Sequence, residues 1–161
     1  GVEPSVGSLA ELIEFNRANA DTVMPWFGQE DFEKAEAKGP LSDPEYLESV
    51  EKSHIQVAKA IDALMKEHNL DAVIAPTNGP SWVTDWVNGD SFSLSSSSPA
   101  AISGYPSVTI PMGEIHGLPI GVSVIGAAYS EKKLIGLAYA LEQKLQARRN
   151  PTFRESMAET P

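Results

Sequence analysis

The sequence predicts an α/β fold, a mixed sheet flanked by helices. Three observations carry that expectation. Two Val- and Ile-rich runs, Ser107–Pro111 and Pro119–Ile125, lie on either side of a short connection holding Gly113 and Gly117. β-branched side chains suit a pleated surface, and glycine turns the chain at little steric cost. Long stretches with apolar residues at helical spacing precede and follow this pair. A short apolar run, Leu70–Pro76, comes directly after the longest of them.

The elements follow in order. Ser8 and Glu11 have the S-x-x-E spacing of a capping box, ahead of Leu12, Ile13 and Phe15. A helix is expected from Leu9 to about Ala20, ended before Pro25. A shorter one runs from Gln29 to about Lys38 and closes at Gly39-Pro40. Met24, Trp26, Phe27 and Phe32 form an aromatic-rich patch around their connection. Asp43 caps the longest helix and Pro44 occupies its first turn. Its stripe includes Leu47, Val50, Ile55, Ala58, Ile61 and Met65, and Asn69 is the natural stop.

Leu70–Pro76 reads as a buried strand, parallel to a neighbour. A long polar segment follows, Thr77 to Ser98, with Trp82, Trp86 and the run Ser95–Ser98. Loops of that length within a domain are commonly functional, and one leaving the carboxyl end of a strand is where α/β proteins place ligands. Ser98-Pro99 opens a short helix that Gly104 stops. The paired strands come next. Neither bears a charge, so both faces are expected to be covered. Ser130 caps the last helix, with Leu134, Ile135, Leu137, Ala138, Leu141 and Leu145 on its buried side, and Asn150-Pro151 ends it. Residues 1–7 and 150–161 are expected to be loosely ordered, with Thr152–Pro161 a tail.

Composition narrows the functional classes. The chain has 161 residues, 42% of them hydrophobic, which suffices for one core. No apolar run reaches the roughly 18 residues of a membrane span. A formal net charge of −10 disfavours nucleic acid and anionic lipid as partners. The absence of cysteine rules out disulfides and thiolate metal sites. Its three histidines have no ligand spacing, and no phosphate-binding glycine loop occurs. No metal and no cofactor are therefore expected. A triad of one serine from Ser95–Ser98 with His116 and Asp85 has no support in the spacing, and no G-x-S-x-G elbow is present.

Several stretches carry a family resemblance. LDAVIAPT, SPAAISGYPSVTIPMG and GLPIGVSVIGAAYSEKKLIGLAYALEQ together resemble the C-terminal part of amidase signature enzymes, and the upstream segment from Leu9 to Tyr46 is similar to what precedes it in bacterial members. The resemblance extends from Ser8 to about Gln146. Its most specific part is Gly104 to Gly126, a G-x-P-x-x-x-x-P run followed by GLPIGxxxIG.

The resemblance implies the C-terminal part of the amidase signature fold and a small-molecule amide as substrate of the full-length enzyme. The family's catalytic lysine, cis-serine and nucleophilic serine belong to the N-terminal two thirds. Ser95–Ser98 lacks their flanking glycines, and Lys132 and Lys133 do not match the lysine. No catalytic residue is thus expected here, and the chain alone is expected to be inactive, an excised piece or a truncated product. The substrate cleft is expected to involve Asn78, Trp82, Ser95, Ser96, Ser97 and Ser98. Sheet edges that pair with the missing portion invite self-association. A reading of another class is a stand-alone binding or interaction module that kept the fold without the chemistry.

Overall fold

The computed structural model describes residues 6–151 and Phe153. The expected loose segments, including the tail Thr152–Pro161, lie largely outside them. The chain divides after Leu47 into two compact units.

The first unit holds α1 (Leu9–Ala18), α2 (Ala20–Val23) and α3 (Glu30–Glu36). The Ser8 hydroxyl accepts the Glu11 N–H at 3.2 Å, as the capping box requires. The Glu11 carboxylate reaches back to the N–H of Gly7 rather than that of Ser8, at 2.7 Å. The helix expected to run to Ala20 breaks at Asn19, whose side chain donates to the Phe15 carbonyl at 2.8 Å. Gln29 is buried with both ends of its amide bonded: Nε2 donates to the Ile13 carbonyl and Oε1 accepts from Asn16. Trp26 and Phe27 stay exposed within this unit.

The long helix predicted from Pro44 is present in three pieces. They are α4 (Pro44–Val50), a π-helical stretch (Glu51–Ile55) and α5 (Gln56–Glu67). The Asp43 side chain accepts the Glu45 N–H at its start. Asn69, at φ 50°, ends it in the left-handed region that Asn tolerates.

The second unit is built on β1 (Val73–Pro76), β2 (Ser107–Ile115) and β3 (Leu118–Ile125). The α/β class is as predicted, but one pairing differs. β3 lies between β1 and β2, and both ladders are antiparallel. β1 and β2 do run in the same direction. The hairpin places β3 between them, so the parallel neighbour expected for β1 is never adjacent. β2 and β3 are longer than the two apolar runs, because the connection is only His116-Gly117. Both residues have positive φ, 52° and 75°, the twist that two-residue hairpins need. The ladder slips by one residue between Pro111 and Gly113, a bulge at Met112.

Coverage of the sheet differs from the expectation as well. Helix α7 (Glu131–Leu145) covers one face, packing Ala138 and Leu141 on Val108, Ile110, Met112 and Val122. Leu134 is 0% exposed, and Gly126 lets it close: a Cβ there would sit 2.9 Å from its Cδ2. On the same face Ile74 of β1 is 66% exposed, beyond the reach of α7. The opposite face carries Thr109 and Ser123, which are hydrogen-bonded to each other. The central strand β3 is buried on both faces from Val122 to Ile125, as expected, whereas Thr109 on the outer strand β2 is exposed. The Ser130 hydroxyl donates to the Ala127 carbonyl and makes no cap bond. The helix ends at Leu145 with Gln146 left-handed, ahead of Asn150-Pro151.

Candidate functional site

The segment Thr77–Ser98 is folded back on itself at its root. The Thr77 N–H donates to the Gly121 carbonyl at 2.8 Å, extending the β1–β3 ladder by one residue. The Thr77 carbonyl accepts the Ser96 N–H at 3.0 Å. Asn78 and Ser95 form an isolated antiparallel bridge, and the Gly79 N–H reaches the Leu94 carbonyl at 3.1 Å. Helix α6 (Ser98–Ser103) begins directly afterwards, with Pro99 in its first turn and Gly104 at φ 72° as its stop.

Of the residues singled out in the sequence, Asn78, Ser95 and Ser96 meet at this root, with Ser97 bonded to Ser95 and Ser98 opening α6. The hydroxyls of Ser95 and Ser97 are 2.9 Å apart, and the Ser95 hydroxyl also accepts the Ser97 N–H. Such local bonds are the usual use of clustered serines before a helix. Trp82 belongs to the distal part of the segment. Its indole packs edge-on to Phe92, with ring centroids 6.3 Å apart, and its N–H donates to Asp90 at 3.3 Å. A cavity of about 640 Å³ opens beside it, lined by Trp82, Asp85, Trp86, Asn88 and Asp90 among others.

Asp85 is committed to a turn in this distal part. Its carboxylate accepts the N–H groups of Val87 and Asn88 at 2.8 and 2.9 Å, and the Asn88 side-chain amide at 2.8 Å. The backbone and then the side-chain bond from Asn88, with the Val87 N–H, hold its carboxyl below the usual aspartate range. His116 occupies the hairpin turn instead. Among the described residues no three His, Asp or Glu side chains gather as a metal site would require. No helix among them is long and apolar enough to cross a membrane.

Beneath the root lies a feature the sequence did not disclose. The Thr77 hydroxyl is 2.9 Å from that of Ser123 and 3.2 Å from that of Thr109, and the last two are 3.0 Å apart. These three come from three strands or strand ends. Only the register, which pairs Thr109 with Ser123, could have brought them together. Gly121 makes room for them: a Cβ there would lie 3.0 Å from the Thr77 hydroxyl and 3.1 Å from the Thr109 methyl.

The Amidase family model matches residues 20–135, more than two thirds of the chain. The chain belongs to the amidase family. The native peptide amidase of Stenotrophomonas maltophilia is a solved relative of this amidase-family chain. It is 43% identical with a TM-score of 0.84, over 92% of this chain and 30% of that one. An amidase family protein from Bacillus anthracis gives a TM-score of 0.71 at 26% identity, over 92% of this chain and 26% of that one. Among curated proteins, a "Probable amidase" of Arabidopsis thaliana is 33% identical over 94% of this chain and 27% of its own length. The mandelamide hydrolase of Pseudomonas putida is 28% identical over 66% of this chain and 22% of its own. The amidase-family chain thus spans between about a fifth and a third of the length of these relatives.

Proposed function

We propose that this chain forms the loop-bearing wall of the substrate cleft in an amide hydrolase whose substrates include peptide amides. The observation that carries this reading is its likeness to a peptide amidase, 44% identical at a TM-score of 0.84 in a complex with the competitive inhibitor chymostatin. In the reading, Asn78 and Ser95–Ser98 line the near side of the cleft, and Trp82 supplies an apolar contact from the distal part of the segment. A polar root joined to an aromatic-bearing loop is the composition that small-molecule sites favour. The acyl-enzyme chemistry then belongs to a serine outside this chain: the serine attacks the amide carbonyl, the amine leaves, and water releases the acid.

By the same reading the chain alone does not turn over. The Ser95 and Ser97 hydroxyls bond each other, and the Ser95 hydroxyl accepts the Ser97 N–H, contacts that supply no base. The test is an assay of the purified chain on aliphatic, aromatic and peptide amides, beside a full-length amidase carrying this segment. Turnover is expected only from the latter. Activity of the chain alone that disappears on replacing a serine within Ser95–Ser98 would overturn the non-catalytic assignment. A bound inhibitor with no atom within about 4.5 Å of Asn78, Trp82 or Ser95–Ser98 would overturn the cleft assignment.

A further inference from the structure

We infer that Thr77 is the positioning residue of this candidate site, acting through its hydroxyl on Asn78 and Ser96, with Thr109 and Ser123 holding that hydroxyl in place. The inference rests on the reading of Thr77–Ser98 as the wall of the cleft.

Both ends of the segment depend on this one residue. Its N–H is bonded to Gly121 of β3, and its carbonyl takes the N–H of Ser96 at the segment's far end. The Ser96 hydroxyl lies 3.5 Å from the same carbonyl. Asn78 follows in the chain and Ser95 precedes Ser96, so the bridge between them inherits its placement from Thr77.

Backbone bonds alone would permit any strand residue at this position. The side chain adds the constraint. Three hydroxyls in a closed ring have three hydrogens and form three bonds, so each donates once and accepts once. Ser123 is 3% exposed, so its hydroxyl has little access to water as a substitute partner. The ring also fixes the rotamer of a β-branched residue, which restricts the backbone just where β1 becomes the loop. Gly121 leaves the space the ring occupies. Every donor in the ring is used within it, so its role is to hold the root in place.

The test is residue-resolved amide exchange on this chain. Thr77→Val keeps the branched shape and the backbone bonds and removes only the hydroxyl. Exchange at Gly79 and Ser96, the amides that zip the root, is expected to rise by about tenfold or more, as local opening becomes easier. Ile110, Val122 and Val124 should keep their wild-type rates, and Thr77→Ser should restore Gly79 and Ser96. If Thr77→Val folds poorly, Ser123→Ala breaks the ring from the β3 side and should give the same local signature. Rates at Gly79 and Ser96 unchanged in both variants would overturn the inference. A rise of equal size across β2 and β3 would also overturn it, showing that the hydroxyls serve the sheet as a whole. The readout is exchange, so a failure to find amidase activity would count against the proposed function and leave this result standing.

Discussion

Val122 lies at the centre of the packing between β3 and α7, buried with Ile110 and Ala138. An aspartate there would meet only apolar neighbours. An unpaired buried charge costs several kcal/mol, a large share of the roughly 5–15 kcal/mol that holds a domain together. Val122→Asp is therefore expected to yield no soluble, cooperatively unfolding protein, which expression and thermal melting would check. Gly104 sets a subtler demand. It stands at φ 72°, and a Cβ would come within 3.3 Å of the His54 ring. That ring is anchored, since Nδ1 lies 2.8 Å from the Ile102 carbonyl. A carbonyl can only accept, so Nδ1 carries the hydrogen. Gly104→Ala should lower stability by about 1 kcal/mol or more, measured by denaturant unfolding. Asp85 gives a pH signature. Its folded-state pKa is depressed, so the turn it holds is fully formed above the unfolded value of about 3.9 and loosens as pH falls through the lower folded one. The amide resonances of Val87 and Asn88 should titrate below the ordinary aspartate range, and Asp85→Ala should abolish that titration.

At the level of elements, much of the fold was legible because short-range chemistry decided it. Ser8 and Glu11 announced a helix start, and the structure makes the Ser8 bond. Asp43-Pro44 and Asn69 bracketed the long helical stretch, and the π-helical turn between Val50 and Gln56 coincides with the one five-residue step in its stripe, Val50 to Ile55. An i→i+5 turn absorbs that extra residue and keeps the apolar face aligned. The hairpin was legible through its two uncharged apolar runs and its glycines. Its register was not, because the bulge at Met112 is a contest between pairing and twist that no residue type announces. The antiparallel placement of β1 depended on where β3 inserted, a decision made by partners about fifty residues apart in the chain. For the candidate site, the sequence offered a long polar segment with tryptophans, and of the residues named in it Asn78, Ser95 and Ser96 come together at its root. Thr77, Thr109 and Ser123 stayed hidden, because a hydroxyl in a strand reads as surface until its register is known. At this scale Tyr105 ties α6's exit to α5 through a 2.8 Å bond from its hydroxyl to Asp62. Tyr105→Phe should cost about 0.5–1.5 kcal/mol or less, given the exposure of the pair, in an unfolding titration.

On the scale of the whole molecule, apolar side chains remain uncovered. Trp86, Val87 and Phe92 on the long segment, and Ile135 and Tyr139 on α7, are all exposed. Among the described residues β1 and β2 are the outer strands of the sheet, so each has one unpaired edge. Unpaired edges and apolar patches both favour association with another polypeptide. The chain is expected to self-associate as its concentration rises, and light scattering across a dilution series would show it. A strictly monomeric particle over the full range would exclude that. Prolines temper the tendency. Pro76 closes β1 and Pro111 interrupts β2, and a residue without an N–H cannot donate to an added strand. The root of Thr77–Ser98 has a last consequence, for engineering. Gly79 and Leu94 are joined by a single hydrogen bond, so the intervening residues leave and re-enter the body at one point. Exchange of residues 80–93 for a short glycine-rich linker, or for the corresponding stretch of another amidase, is expected to leave the melting of the sheet unaltered and, under the proposed cleft reading, to change which amides the protein admits.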